Sequence, residues 1–135
     1  LGPVEALMAA GYIPVVSTVG YNPFTRDGEG PTTLNLNADT VAGELAATLG
    51  AERLVFLTDV AGVCDQSGKL LPRLSPREAE ALVASGVASG GMIPKIRACL
   101  TALSAASTAC IIDGRLPHAL LREIEERGGG TVIRT

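Results

Sequence analysis

Three short apolar runs constrain this chain most: Arg53–Thr58 (RLVFLT), Thr108–Ile112 (TACII) and Thr131–Ile133 (TVI). Each has the length and side-chain type of a buried strand, and each is bounded by turn residues. Ile13–Ser17 (IPVVS) reads as a fourth short buried strand. Helical patterns with clear start and stop residues separate these runs. The predicted order is helix, strand, helix, strand, two helices, strand, helix, strand. Such alternation predicts an α/β layered fold around a mainly parallel sheet.

The helix signals are specific. Pro3–Ala10 starts with a first-turn proline and stops at Gly11. Asp39–Leu49 places Val41, Leu45 and Leu49 on one stripe and closes at Gly50. Ser75-Pro76-Arg77-Glu78 reads as a capping box with proline at the first helical position; its helix ends near Ser85-Gly86. Met92–Ala106 turns Ile96, Cys99, Leu100 and Leu103 inward, and Pro117–Arg127 follows as the last helix. Tyr21–Thr33 is a long loop or hairpin, Asp65–Gly68 a hairpin tip, and Gly128–Gly130 a flexible turn.

Composition narrows the class. With 135 residues the chain forms one domain, and a 3% aromatic content leaves the core to Ala, Val, Leu and Ile. A net charge of −3 argues against a nucleic-acid surface, and no apolar run is long enough to span a membrane. Cys64, Cys99 and Cys110 lack metal-ligand spacing and read as small reduced core residues of a cytoplasmic protein. His118, after Pro117 at a helix start, reads as a cap or surface residue. No secretory signal pattern opens the chain. Its start at Leu1 without an initiator Met is read as that of a fragment.

Two segments carry the chemistry. In Gly90-Gly91-Met92-Ile93-Pro94-Lys95 a lysine falls in the first turn of a helix, an end that is already partly positive. A phosphate joined to that lysine would explain its position; a solvated lysine beside a glycine turn is the other reading. In Leu34-Asn35-Leu36-Asn37-Ala38-Asp39, Asn35 and Asn37 share one face of an extended segment. Asn37 or Asp39 can cap the next helix, which leaves Asn35 for a substrate group. Ligands in such sheets gather at the carboxyl ends of strands, where Ser17-Thr18, Thr58-Asp59 and Asp113-Gly114 stand. Neither a Walker A nor a GxGxxG motif is present. Phosphoryl transfer needs alignment and positive charge more than covalent work, and Lys95 fits that charge role.

The segments GYIPVVSTVG, NLNADTVAGELAATLGAERLVFLTDVAGVCD, GKLLPRLSPREAEAL, SGGMIPKIRACLTAL and IIDGRLPHALLREI with GGGTVI cover essentially the whole chain. In this order they resemble the C-terminal half of the acetylglutamate kinases, within the amino acid kinase family. The resemblance implies a three-layer αβα sandwich with a mainly parallel central sheet, residues 1–135 being a single nucleotide-binding lobe. It implies ATP, with Mg²⁺ accompanying the nucleotide, and N-acetyl-L-glutamate as the phosphoryl acceptor, a step of arginine biosynthesis. By the same resemblance Lys95 contacts the transferring phosphoryl group and Asp39 organises the catalytic lysines. Asn35 and Asn37 fall in the substrate motif, Asn35 touching the acetylglutamate. Thr58, Asp59, Gly62, Gly91 and Met92 line the nucleotide site, and no residue is a dedicated metal ligand. The family's N-terminal half has no counterpart here. It carries a second catalytic lysine, the acetylglutamate loop, an arginine for the α-carboxylate and the usual interface of a homo-oligomer. The insert YNPFTRDGEGPTT before NLNAD is longer than is usual in the family.

Overall fold

The computed structural model describes residues 1–22, 32–125 and 128–135. The helices are α1 (Gly2–Ala9), α2 (Ala38–Leu49), α3 (Pro76–Ala84), α4 (Met92–Ala102) and α5 (Ala119–Glu125). The strands are β1 (Val19–Asn22), β2 (Thr32–Asn35), β3 (Arg53–Thr58), β4 (Arg73–Leu74), β5 (Thr108–Asp113) and β6 (Gly130–Ile133). The central sheet has the order β3-β5-β6-β4. The β3–β5 and β4–β6 pairs are parallel and β5–β6 is antiparallel, so the sheet is mixed rather than uniformly parallel. β1 and β2 form a separate antiparallel hairpin in which Val19 faces Asn35. The hairpin reading of Tyr21–Thr33 holds at its base; 23–31, which contains most of the insert, lies outside the described residues.

Strand alternation sorts the core. Leu54 and Phe56 of β3, and Ala109 and Ile111 of β5, face a helical layer in which Ile96 and Cys99 of α4 are fully buried. On the other face Cys110 meets Glu123 of α5. Helices therefore cover both faces, as the three-layer reading requires. No helix among the described residues is long and apolar enough to cross a membrane.

Local chemistry sets the helix ends. The Asn37 side chain accepts the Thr40 N–H at 3.0 Å and caps α2, which closes on Gly50 in the left-handed region at φ 59°. The Ser75 capping box forms in both directions: its hydroxyl accepts the Glu78 N–H at 3.3 Å, and the Glu78 carboxylate accepts the Ser75 N–H at 2.7 Å. At the predicted hairpin tip the Asp65 N–H donates to the Lys69 carbonyl, with Gly68 at φ 80°. His118 sits at φ 60°, exposed, and its carbonyl accepts the Arg122 N–H at the start of α5. α5 begins at Ala119, two residues later than the sequence suggested.

Two expectations are corrected. Ile13–Ser17 is not a buried strand: it pairs with nothing among the described residues, and Ile13 and Val15 are 91% and 95% exposed. An apolar run makes burial favourable, but it cannot supply a surface to be buried against, and α1 beside it buries no residue. β3 is buried on its helical face only; it lies at the sheet edge, with Leu57 half exposed.

Candidate active site

α2 leads into β3 and α4 leads into β5, so both helices run against their strands. Their N-termini consequently meet at the carboxyl edge of the parallel pair β3–β5. Small residues let the two helices approach closely. A Cβ on Gly43 would lie 2.8 Å from the Ala98 carbonyl oxygen and 2.9 Å from its Cα. Gly43 is one turn beyond Asp39, and Ala98 is one turn beyond Lys95. This contact brings the two charged side chains together.

The Lys95 ammonium donates to both Asp39 oxygens, at 3.2 Å to Oδ1 and 3.0 Å to Oδ2. Both side chains are largely buried, 24% exposed for Lys95 and 16% for Asp39. The ammonium also lies 5.9 Å from the centroid of the Phe56 ring, within cation–π range. The negative partner that Lys95 needs at a helix start is therefore supplied first from within the chain, by Asp39. Asp39, in the first turn of α2, is itself favoured by that helix's positive end. An ammonium has three N–H donors, so a donor remains for an incoming oxyanion.

The start of α4 offers fewer backbone donors than its glycines suggested. The Met92 N–H donates to Ser89 and the Ile93 N–H to Gly90, and Pro94 has no N–H. Positive charge at the start of α4 thus rests on the Lys95 side chain. Gly91 is the exposed residue before α4, and Met92 packs partly against the core.

Thr58 and Asp59 stand at the end of β3 on the same edge. The Thr58 hydroxyl donates to the Val60 carbonyl at 2.8 Å and accepts the Val60 N–H at 3.2 Å, which fixes the turn that follows. Thr58 is in register with Asp113, whose carboxylate takes the Arg115 side chain at 2.9 and 2.8 Å. Those hydrogen bonds hold the Asp113 carboxyl down at about 2; they also raise Arg115, with a smaller push from Asp59. Gly62 is buried at φ 148°, and a Cβ there would lie 2.7 Å from the Thr131 hydroxyl. Its visible role is close packing against β6.

The structure thus joins Asp39 to Lys95, assigns Asn37 to capping, and sets Thr58 and Asp59 along the same edge. Asn35 stays on the exposed hairpin. The sequence reading missed Phe56, Gly43 and Ala98 as elements of this edge. The small residues at helical spacing, Gly43 with Ala46 and Ala98 with Ala102, were the available signal. No cluster of three or more His, Cys, Asp or Glu that could hold a metal is assembled among the described residues. None of the three cysteines forms a disulfide, and burial pushes the Cys99 thiol up to about 12, which favours its neutral form.

Comparison with known proteins places this edge in a family. The acetylglutamate kinase of Dehalococcoides mccartyi (strain CBDB1) is 51% identical over 130 residues, covering 96% of this chain and 48% of that protein. The acetylglutamate kinase of Acidiphilium cryptum is 54% identical over 132 residues, covering 96% and 42%. The chain spans about half the length of the curated relatives it matches. Among solved structures, N-acetylglutamate synthase from Neisseria gonorrhoeae, complexed with coenzyme A and L-arginine, superposes with a TM-score of 0.86. It is 29% identical, with 98% of this chain and 30% of that chain covered. Carbamate kinase from Giardia lamblia bound to AMP-PNP gives a TM-score of 0.62 at 25% identity, covering 81% and 36%. The amino acid kinase family model matches residues 1–113. That span contains both helices of the Asp39–Lys95 pair and the two parallel strands whose edge they occupy, and the chain belongs to the amino acid kinase family.

Proposed function

We propose that this chain is the nucleotide-binding half of an acetylglutamate kinase. The complete enzyme transfers the ATP γ-phosphoryl group to the side-chain carboxylate of N-acetyl-L-glutamate in cytoplasmic arginine biosynthesis, and it works as a homo-oligomer. The observation that carries this reading is the Lys95 ammonium held by both Asp39 oxygens at the carboxyl edge of the sheet. Charge spreads over the phosphoryl oxygens during transfer, so a positioned cation stabilises the transition state most. Asp39 fixes where that cation stands and does no proton chemistry. Mg²⁺, bound with the nucleotide, would supply further neutralisation of the phosphate charge beside Lys95.

In this reading Thr58, Asp59, Gly62, Gly91 and Met92 surround the nucleotide, and Asn35 and Asn37 form the acetylglutamate side. The names of the curated relatives and the AMP-PNP in the Giardia lamblia carbamate kinase structure support it. The half-length match and the exposed Ile13–Val16 segment favour a second statement about this polypeptide alone: it binds nucleotide without turnover.

Calorimetric titration of MgADP into the chain tests the proposal. Saturable binding that Lys95→Ala leaves largely intact is expected. A folded chain that takes up no MgADP would sink the nucleotide reading. For the acceptor, N-acetylglutamate is compared with free glutamate in a complete enzyme carrying this half, and preference for free glutamate would point to another amino acid kinase.

A further inference from the structure

At the opposite edge of the sheet a cavity opens, about 180 Å³ in volume and lined by Arg53, Arg73, Thr108, Glu123, Val132 and Arg134. The register explains why three arginines meet there. Arg53 pairs with Thr108 across β3–β5, and Arg73 pairs with Val132 across β4–β6. Arg134 follows β6 directly, its N–H bonded to the Leu74 carbonyl at 3.2 Å. Residues two apart on a strand share a face, so Val132 and Arg134 project to the same side as Arg73. That side is the α5 side, because Cys110 lies opposite Val132 and reaches Glu123.

Like charges gathered across neighbouring strands repel. None of the three forms an ion pair among the described residues, whose ion pairs are Lys95–Asp39 and Arg115–Asp113 at the other edge. Glu123, the one acidic residue lining the cavity among the described residues, is 1% exposed and already committed. Its Oε1 accepts the Cys110 thiol at 3.3 Å, and its Oε2 accepts the N–H groups of Gly128 and Gly129 at 3.2 Å. Among the described residues Arg53 reaches the backbone carbonyl of Glu123, at 2.9 Å, with one of its five N–H donors. The cavity far exceeds the roughly 10–15 Å³ that a single water requires.

We propose that this cavity is a binding site for a small oxyanion, the phosphate or carboxylate group of a small molecule, separate from the nucleotide edge. Guanidinium forks match both groups in geometry. The site's charge comes from Arg73 and Arg134, with Arg53 anchored at its wall and Thr108 offering a hydroxyl.

The test is an amide NMR titration of the 135-residue chain with inorganic phosphate and, separately, succinate. Saturable shifts are expected at Thr108, Val132 and Arg134, ahead of any at Gly91 and Met92. Response to phosphate alone identifies a phosphoryl ligand, and response to succinate alone a carboxylate ligand; either supports the site. Arg73→Gln and Arg134→Gln, both at exposed positions and each checked for folding by circular dichroism, should weaken binding at least about tenfold. No saturable shift at these amides with either anion by about 20 mM, well above millimolar affinity, overturns the proposal. Binding that both folded variants retain at full strength overturns it as well.

Discussion

Gly43 of α2 lies against the backbone of Ala98 in α4, with room for no side chain between them: a Cβ would sit 2.8 Å from the Ala98 carbonyl oxygen. In an isolated helix, Gly→Ala gains about 1 kcal/mol of propensity. Here the added methyl meets backbone, which cannot rotate away. Gly43→Ala should therefore destabilise the chain, by about 1–3 kcal/mol. Urea unfolding midpoints check this, and a Gly43→Ala variant more stable than its parent would show that the helices separate freely. Because this contact sets the spacing of Asp39 and Lys95, the same substitution in a complete enzyme should also lower turnover.

Lys95→Ala in a complete enzyme separates binding from catalysis. The ammonium is needed most where charge develops, so kcat should fall on the order of 10²–10³-fold while nucleotide affinity changes much less. Steady-state kinetics paired with MgADP calorimetry measure the two. Equal losses would mean that Lys95 serves ground-state binding only.

The Asp113–Arg115 pair gives a pH signature. Asp113 titrates at about 2 in the folded chain, below its ordinary value of 3.8, because Arg115 bonds its charged form. The unfolded chain therefore takes up the proton first as pH falls. The stabilisation is fully present above about pH 4 and is lost as pH drops through 3.8 towards 2. Arg115→Gln should flatten stability against pH in that window and leave the slope above about pH 5 unchanged. An unaltered acid slope in the variant would remove the pair from the account.

The exposed apolar segment should govern solution behaviour. Ile13 and Val15 are 91% and 95% exposed, with Tyr12, Val16 and Val19 also open. The isolated chain should bind a hydrophobic dye and self-associate. Replacing Ile13 and Val15 by Ser should reduce both, with unfolding free energy shifted by no more than about 0.5 kcal/mol. Dye fluorescence and sedimentation distinguish this from a dilute monomer with no dye uptake.

Removal of the α3 cap is a purely local test. Ser75→Ala deletes the hydroxyl that accepts the Glu78 N–H. A loss of about 1 kcal/mol is expected in denaturant unfolding. No measurable loss would show that the Glu78 carboxylate alone, bonded to the Ser75 N–H at 2.7 Å, holds the helix start.

What the sequence determined by itself is what neighbouring residues settle among themselves. The capping box at Ser75 and Glu78, the stop at Gly50, the Asp65–Gly68 turn and the inward face of α4 all depend on groups within a few residues of one another. The charge oddity of Lys95 at a helix start was legible for the same reason. Tertiary structure decided whatever needed a distant partner. It chose Asp39, 56 residues away, as the partner of Lys95. It turned β6 antiparallel to β5, left Ile13–Ser17 unpaired with Ile13 and Val15 in solvent, and gathered Arg53 of β3, Arg73 of β4 and Arg134 just after β6 around one cavity. Propensity and patterning fix which face of an element is apolar; only packing fixes which element meets that face, or whether any does.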